Sequence, residues 1–130
     1  MSHRIAAFLR LDGWYSDLVS MQLERHEQFA FVGLIRLMVR IDGDFSPAEV
    51  GAMQTLAKRF GSGVFWALMA ESQETLVSDE EVLAVAGDVI RPEVQRWMYQ
   101  ALLELAAVDG IHPNESRLLD WLIEKWQLCA

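Results

Sequence analysis

Apolar side chains recur along most of this chain at spacings of three and four residues. The clearest stripe contains Val94, Trp97, Met98, Ala101, Leu102, Leu105 and Val108. Two more are formed by Leu118, Leu119, Leu122, Ile123 and Trp126, and by Val50, Met53, Leu56, Ala57 and Phe60. Such spacing puts the apolar residues on one face of an α-helix, whereas a β-strand would show alternation with period two. No sustained alternation occurs, so the pattern predicts an all-α fold.

Capping residues give the limits of the helices. Ser46-Pro47-Ala48-Glu49 and Ser78-Asp79-Glu80-Glu81 are capping boxes, and Pro92 and Pro113 suit a first helical turn. Gly43, Gly61 and Gly110 stand where helices should end. The predicted helices lie near 3–10, 17–41 with a break around 24–27, 47–60, 63–74, 79–87, 92–108 and 113–127. Together they predict a compact bundle of six or seven helices.

The segment 29–41 is apolar on nearly all sides, apart from a thin stripe that holds Gly33, Arg36 and Arg40. A helix of that kind belongs in the middle of a bundle, with its arginines reaching toward one edge. We expect Gly33 to let a neighbouring helix approach closely.

Composition narrows the class of protein. The chain has 130 residues, 52% of them hydrophobic, which predicts a single well-packed domain. Its formal net charge of −8 opposes nucleic-acid binding, and no stretch is apolar enough to predict a membrane span. The single cysteine, Cys129, excludes a disulfide framework and a cysteine-based zinc site. With no secretion signal recognised, the expected location is the cytoplasm.

An Asp-Gly turn occurs three times. "FLRLDGWYSD" at 8–17 matches "MVRIDGDFSP" at 38–47, and "LAAVDGIHPNE" at 105–115 keeps the Asp-Gly, proline and glutamate with a shorter loop. The second and third copies each join an apolar helix to a capped helix. They predict two related helical hairpins, around 25–60 and 92–127, that cover each other's apolar faces.

These two hairpins, with "IDGDFSPAE" and "VDGIHPNE" at their corners, resemble the tellurite-resistance TerB-like family. The resemblance implies one domain over 1–130, with the repeats in about 25–127 and an N-terminal helical extension in 1–24. It implies a bacterial protein that acts in stress response or defence as a non-catalytic binding or scaffold module with a protein partner. It also implies a set of cation ligands, which in this chain are Asp42, Asp44, Glu49, Asp109 and Glu115.

The acidic loops allow three interpretations. In the first, the acids and glycines only terminate and cap helices. In the second, carboxylates of the two loops converge on a weakly bound divalent cation such as calcium, magnesium or manganese. In the third, Arg36 and Arg40 neutralise the acids. A working EF-hand is excluded, because Met38 and Arg40 occupy the positions of its first two oxygen ligands.

Motifs for catalysis are not evident. His3, His26 and His112 are too scattered to predict a metal triad, and no G-x-S-x-G segment occurs. "GSGVF" at 61–65 lacks the lysine and the length of a phosphate-binding loop. We expect a protein that is not an enzyme, with a hydrolase as the remote alternative.

The segment 71–81 holds five acids and no base. It is interpreted as a solvated connector, with a docking surface for a basic partner as the alternative. Trp66, Trp121 and Trp126 are expected in the core, although each could instead anchor such a partner.

Overall fold

The computed structural model describes residues 23–42 and 47–128, and within them the fold is all-α. Six helices follow one another: α1 (Arg25–Asp42), α2 (Pro47–Phe60), α3 (Ser62–Thr75), α4 (Asp79–Gly87), α5 (Pro92–Ala106) and α6 (Pro113–Trp126). A 3₁₀ turn, Ala107–Asp109, follows α5. The predicted helix at 3–10, the part of 17–41 before Leu23 and the first Asp-Gly turn lie outside these residues.

Helix α1 occupies the middle of the bundle, as its nearly uniform apolar surface predicts. It contacts α4, α3, α6 and α5, and Phe31, Leu34 and Ile35 are fully buried. Gly33 faces α4: a Cβ at that position would lie 3.3 Å from Val82 Cγ1. The expected close approach of a neighbouring helix is thereby confirmed.

The remaining helices pack around α1, and several of them also contact one another. Helices α5 and α6 contact one another, which confirms the hairpin predicted for 92–127. Helix α2 contacts α3, α5 and the 3₁₀ turn. Aromatic rings connect α1 with α2 and α5, since the centroid of the Phe31 ring lies 6.1 Å from that of Phe60 and 4.7 Å from that of Trp97.

The capping residues that the structure describes act as the sequence predicts, whereas Gly43, Ser46 and the side chain of Glu49 lie outside the described part of the chain. Ser78 Oγ accepts a hydrogen bond from the Glu81 backbone N–H at 3.2 Å. Glu115 Oε1 accepts one from the His112 backbone N–H at 2.9 Å, and Pro92 and Pro113 begin their helices. Because each cap satisfies an otherwise unpaired backbone group within a few residues, these helix limits are encoded locally.

Two helix ends are closed by side chains from distant parts of the chain. Arg36 donates to the Leu76 carbonyl at 2.6 Å and to Ser72 Oγ at 2.9 Å, at the C-terminus of α3. The Trp126 indole N–H donates to the Ala86 carbonyl at 2.9 Å, near the end of α4. Arg36 therefore supplies a cation to a carbonyl at the end of α3, and the side chain of Arg40 lies outside the described residues.

Several helix limits differ from their predictions by one or two residues: 63–74 is observed as 62–75, 92–108 as 92–106 and 113–127 as 113–126. The helix predicted for 92–108 ends at Ala106 and tightens into the 3₁₀ turn before Gly110, whose φ is +100°. A 3₁₀ turn of this kind satisfies carbonyls at the end of a helix as the backbone changes direction. None of the helices in the described residues is long and apolar enough to cross a membrane.

Candidate functional site

Helix α3 has an exposed side that is rich in apolar residues. Phe65, Leu68, Met69 and Ser72 point into the bundle and are buried. The opposite side is exposed and contains Trp66, Ala67, Ala70 and Glu74, which we call the Trp66 face. These positions share one side of the helix because residues three and four apart lie above one another.

Trp66 is the most conspicuous member of the Trp66 face. Its side chain is 46% exposed. The indole meets the Phe65 ring edge to face, with centroids 5.0 Å apart, and Phe65 in turn meets Phe60 at 5.8 Å. Since Phe65 is fully buried, the tryptophan rests on a ring that cannot move freely. The structure thus presents a large aromatic side chain to solvent in a restrained position.

The predicted core location is wrong for Trp66 and correct for Trp126, which is buried; Trp121 is partly buried. Val64, Phe65 and Trp66 are consecutive, and three consecutive helical residues point about 100° apart. Only one of them can face the core directly, and Phe65 occupies that place. Val64 is 55% exposed as a result.

A shallow groove lies beside Trp66, between α2 and α3. Its volume is about 260 Å³, and its lining comes from Gly51, Gln54, Thr55, Ala57, Lys58 and Trp66. A Cβ at Gly51 would have no atom within 4 Å, so this part of α2 is open. The lining therefore combines the Trp66 ring with the polar side chains of Gln54, Thr55 and Lys58.

Negative charge lies beyond the groove along α3. Glu74 is exposed and stands in the last turn of the helix, eight residues after Trp66. Glu71 is ion-paired with Arg25 of α1. Asp79, Glu80 and Glu81 form the first turn of α4, where the helix dipole favours acids. Part of the acidic segment 71–81 therefore has a structural role.

Most of the predicted cation ligands lie outside the part of the chain that the structure describes. Asp44 and the side chains of Asp42, Glu49 and Asp109 lie outside the described part of the chain. Glu115 is 1% exposed and uses Oε1 to cap α6. Among the side chains that the structure describes, no three His, Cys, Asp or Glu residues are grouped so as to hold a metal.

The elements that carry acids of the second and third Asp-Gly motifs lie beside one another. Helix α2, which carries Glu49, contacts the 3₁₀ turn that ends at Asp109. The bond from the His112 backbone to Glu115 agrees with the interpretation in which the motif residues cap helices.

An ion pair between the buried Glu27 and the partly exposed Arg91 was not identified from the sequence. Glu27 is three residues after Glu24 and accepts a hydrogen bond from its backbone N–H at 2.8 Å, which is a local capping signal. Nothing local indicates Arg91, because it is 64 positions away.

Comparisons of the chain with protein-family models, with curated proteins and with solved structures gave no match.

Proposed function

We propose that this protein is a non-catalytic binding module that recognises a segment of a partner protein through the Trp66 face. The observation that carries the proposal is the half-exposed Trp66 indole, fixed against Phe65 beside an open groove. An aromatic side chain of that size gains stability from burial, so its exposure in the isolated chain favours a binding role.

Trp66 has the physical properties of an interface anchor. Tryptophan is enriched among the few residues that contribute most to protein–protein affinity. An indole already held by a buried ring has little side-chain entropy left to lose when a partner covers it. Ala67 and Ala70 beside it are small, so a partner backbone or helix can approach α3 closely.

The groove supports a binding module more than an enzyme. Pockets for small molecules usually enclose about 300–1,000 Å³ and bury most of their ligand. This groove, at about 260 Å³, is smaller and lies open between two outer faces. It suits one side chain of a partner, inserted between Trp66 and the polar residues of α2.

The resemblance to the TerB-like family implies the same class of protein, a binding or scaffold module. That resemblance rests on the Asp-Gly motifs and remains a prediction, as do a role in stress response and the relevance of tellurite. Recognition of a partner through Trp66 and its surroundings does not depend on the pathway in which the protein acts.

Affinity measurements with matched variants test the proposal. Wild-type protein is immobilised to capture candidate partners from its source cells, and each candidate is then purified and titrated by calorimetry. We expect Trp66→Ala to weaken the binding of the true partner about tenfold or more. Ile90→Ala removes another exposed apolar side chain, 77% exposed in the loop between α4 and α5, and should change the affinity less than twofold. Equal effects of the two variants would refute the role of Trp66.

A divalent-cation sensor is the second candidate. It is favoured by the contact between α2, which carries Glu49, and the 3₁₀ turn that ends at Asp109. Carboxylates from both corners could supply the oxygen ligands that calcium, magnesium or manganese prefers. This function remains a hypothesis, and its test is a metal titration described in the Discussion.

A further inference from the structure

We infer that the partner segment is basic and amphipathic, with an apolar side chain at Trp66 and a lysine or arginine beside Glu74. This inference rests on the proposed function and adds the chemistry and the direction of the bound segment. It is carried by the charge that follows the apolar part of the Trp66 face.

Glu74 has a position that helix stability does not explain. The C-terminus of a helix carries partial negative charge, so an acid in the last turn is unfavourable and a base is favourable. Helix α3 has no base in its last turn, and the cation there is Arg36 of α1. Within the described residues the Glu74 side chain makes no hydrogen bond or ion pair, in contrast to the carboxylates of Glu71 and Glu81. Its exposed carboxylate is available to an external cation.

The spacing along α3 gives the bound segment a length and a direction. Trp66 and Glu74 are eight residues apart, which corresponds to about 12 Å along the helix and a rotation of about 80° around its axis. Lys58 lines the groove on the α2 side, so positive charge lies at that end and negative charge at the other. The cation of the partner is therefore expected toward Glu74, and its neutral or acidic end toward Lys58.

Charge also selects the kind of occupant. A second copy of this chain would bring two molecules with a formal net charge of −8 together, and their mutual repulsion opposes self-association through this face. A basic segment is attracted by the same charge, which speeds its encounter with the surface. The acids of the first turn of α4 contribute to this net charge, and they also stabilise their own helix.

A peptide selection tests this inference. A display library of random 16-residue peptides is selected against wild-type protein and depleted against Trp66→Ala. We expect the retained peptides to carry a large apolar residue and a lysine or arginine, separated by about eight positions in a helix or about four in an extended chain. The best peptide is then synthesised and titrated at two salt concentrations.

Charge reversal on two helices supplies the matched comparison. Glu74→Lys should weaken binding of that peptide about tenfold, and added salt should reduce the wild-type affinity. Asp120→Lys makes the same change in charge at an exposed position of α6 and should alter binding less than twofold. Because Glu74→Lys places a base in the last turn of α3, its melting temperature should not fall below that of the wild type.

The outcomes separate the two proposals. Peptides that depend on Trp66 but lack basic residues, or equal losses for Glu74→Lys and Asp120→Lys, overturn the basic partner and leave the proposed function standing. Selection of no Trp66-dependent peptide contradicts both. A dimer seen by sedimentation in the wild type and lost in Trp66→Ala shows that a second copy is the occupant, and it too overturns the basic partner.

Discussion

The Arg91 guanidinium donates two hydrogen bonds to the Glu27 carboxylate. Arg91 Nε lies 2.8 Å from Glu27 Oε2, and Arg91 Nη2 lies 2.5 Å from Oε1. The glutamate is 1% exposed and the arginine 31% exposed. Glu27 also accepts from the Glu24 backbone N–H, so one carboxylate caps α1 and joins it to the start of α5. This pair fixes the relative position of two helices that are far apart in sequence.

Glu27→Gln should lower the free energy of unfolding by about 2–3 kcal/mol. Glutamine has nearly the same shape, but the charge-assisted bonds to Arg91 are lost and a partly buried cation is left without its counter-charge. Chemical denaturation followed by tryptophan fluorescence measures the change. Glu124→Gln, at an exposed position of α6, should shift the free energy by less than about 0.5 kcal/mol. A result for Glu27→Gln as small as that of the control would contradict the role of the pair.

The Glu27–Arg91 ion pair makes the free energy of unfolding depend on pH. The hydrogen bonds from Arg91 lower the pKa of Glu27 below its ordinary value of 4.5, against an opposing effect of burial. A carboxylate whose pKa is lowered by folding stabilises the protein above the unfolded value, and this contribution is lost as the pH falls through the folded pKa. We therefore expect the stability difference between wild type and Glu27→Gln to be constant from pH 7 to about 5 and to shrink below pH 4.5. Denaturation curves across this range measure it, and a difference that persists undiminished at pH 2 counts against it.

Gly33→Leu should destabilise the protein by about 1–3 kcal/mol, because a side chain at this position must displace Val82 and Leu76. Gly51→Ala is the matched control in α2, where a Cβ has open space. Alanine is a better helix former than glycine, so the control should gain about 0.5–1 kcal/mol. Thermal unfolding monitored by circular dichroism compares the stability of the two variants. A change of the same sign in both would contradict the prediction.

Gly110→Ala should cost about 1–3 kcal/mol, since its φ of +100° is strained for any residue with a Cβ. Gly63→Ala, inside α3 and with open space around it, should leave stability unchanged or improve it. Chemical denaturation of both variants tests whether the turn after the 3₁₀ segment needs glycine. A loss of stability in Gly63→Ala without one in Gly110→Ala would contradict this prediction.

The cation hypothesis predicts heat when chelator-treated protein is titrated with millimolar calcium, magnesium or manganese. Asp44→Asn should then weaken binding while leaving the melting temperature of the metal-free protein nearly unchanged, because a ligand carboxylate in a loop adds little to the stability of the metal-free fold. Calorimetry and tryptophan emission report the binding. No heat with any of the three ions rejects the hypothesis.

Local patterns predicted the helices of the described residues and placed most of their ends to within one or two residues. The start of α4 at Asp79 follows from Ser78 and Glu81, and the start of α6 follows from Pro113 and Glu115. These signals act within one turn of helix, so they can be recognised in the sequence. The central place of α1 was also predictable, since its apolar surface can be buried only by neighbours on all sides.

The candidate site was only partly predictable. The acidic segment 71–81 and the tryptophans indicate a candidate docking surface, but the sequence does not show which tryptophan is exposed. Trp66 is on the surface because Phe65 takes the core position and packs on Phe60 of α2. That choice depends on how α2 and α3 meet, and periodicity does not contain this information, since the apolar run 64–66 fits more than one rotation of the helix.

The sequence by itself determined the all-α class, the helix limits, the caps and the negative charge, because each depends on neighbours within a few residues or on composition alone. Tertiary structure decided which distant groups meet: Arg91 on Glu27 across 64 positions, Arg36 on Leu76 across 40, and Trp66 beside the groove of α2. The physical reason is that burial is non-directional, so apolar stripes drive helices together without specifying which neighbours meet. Side chains acquire their partners only when the packing of the whole bundle fixes the rotation and neighbours of each helix.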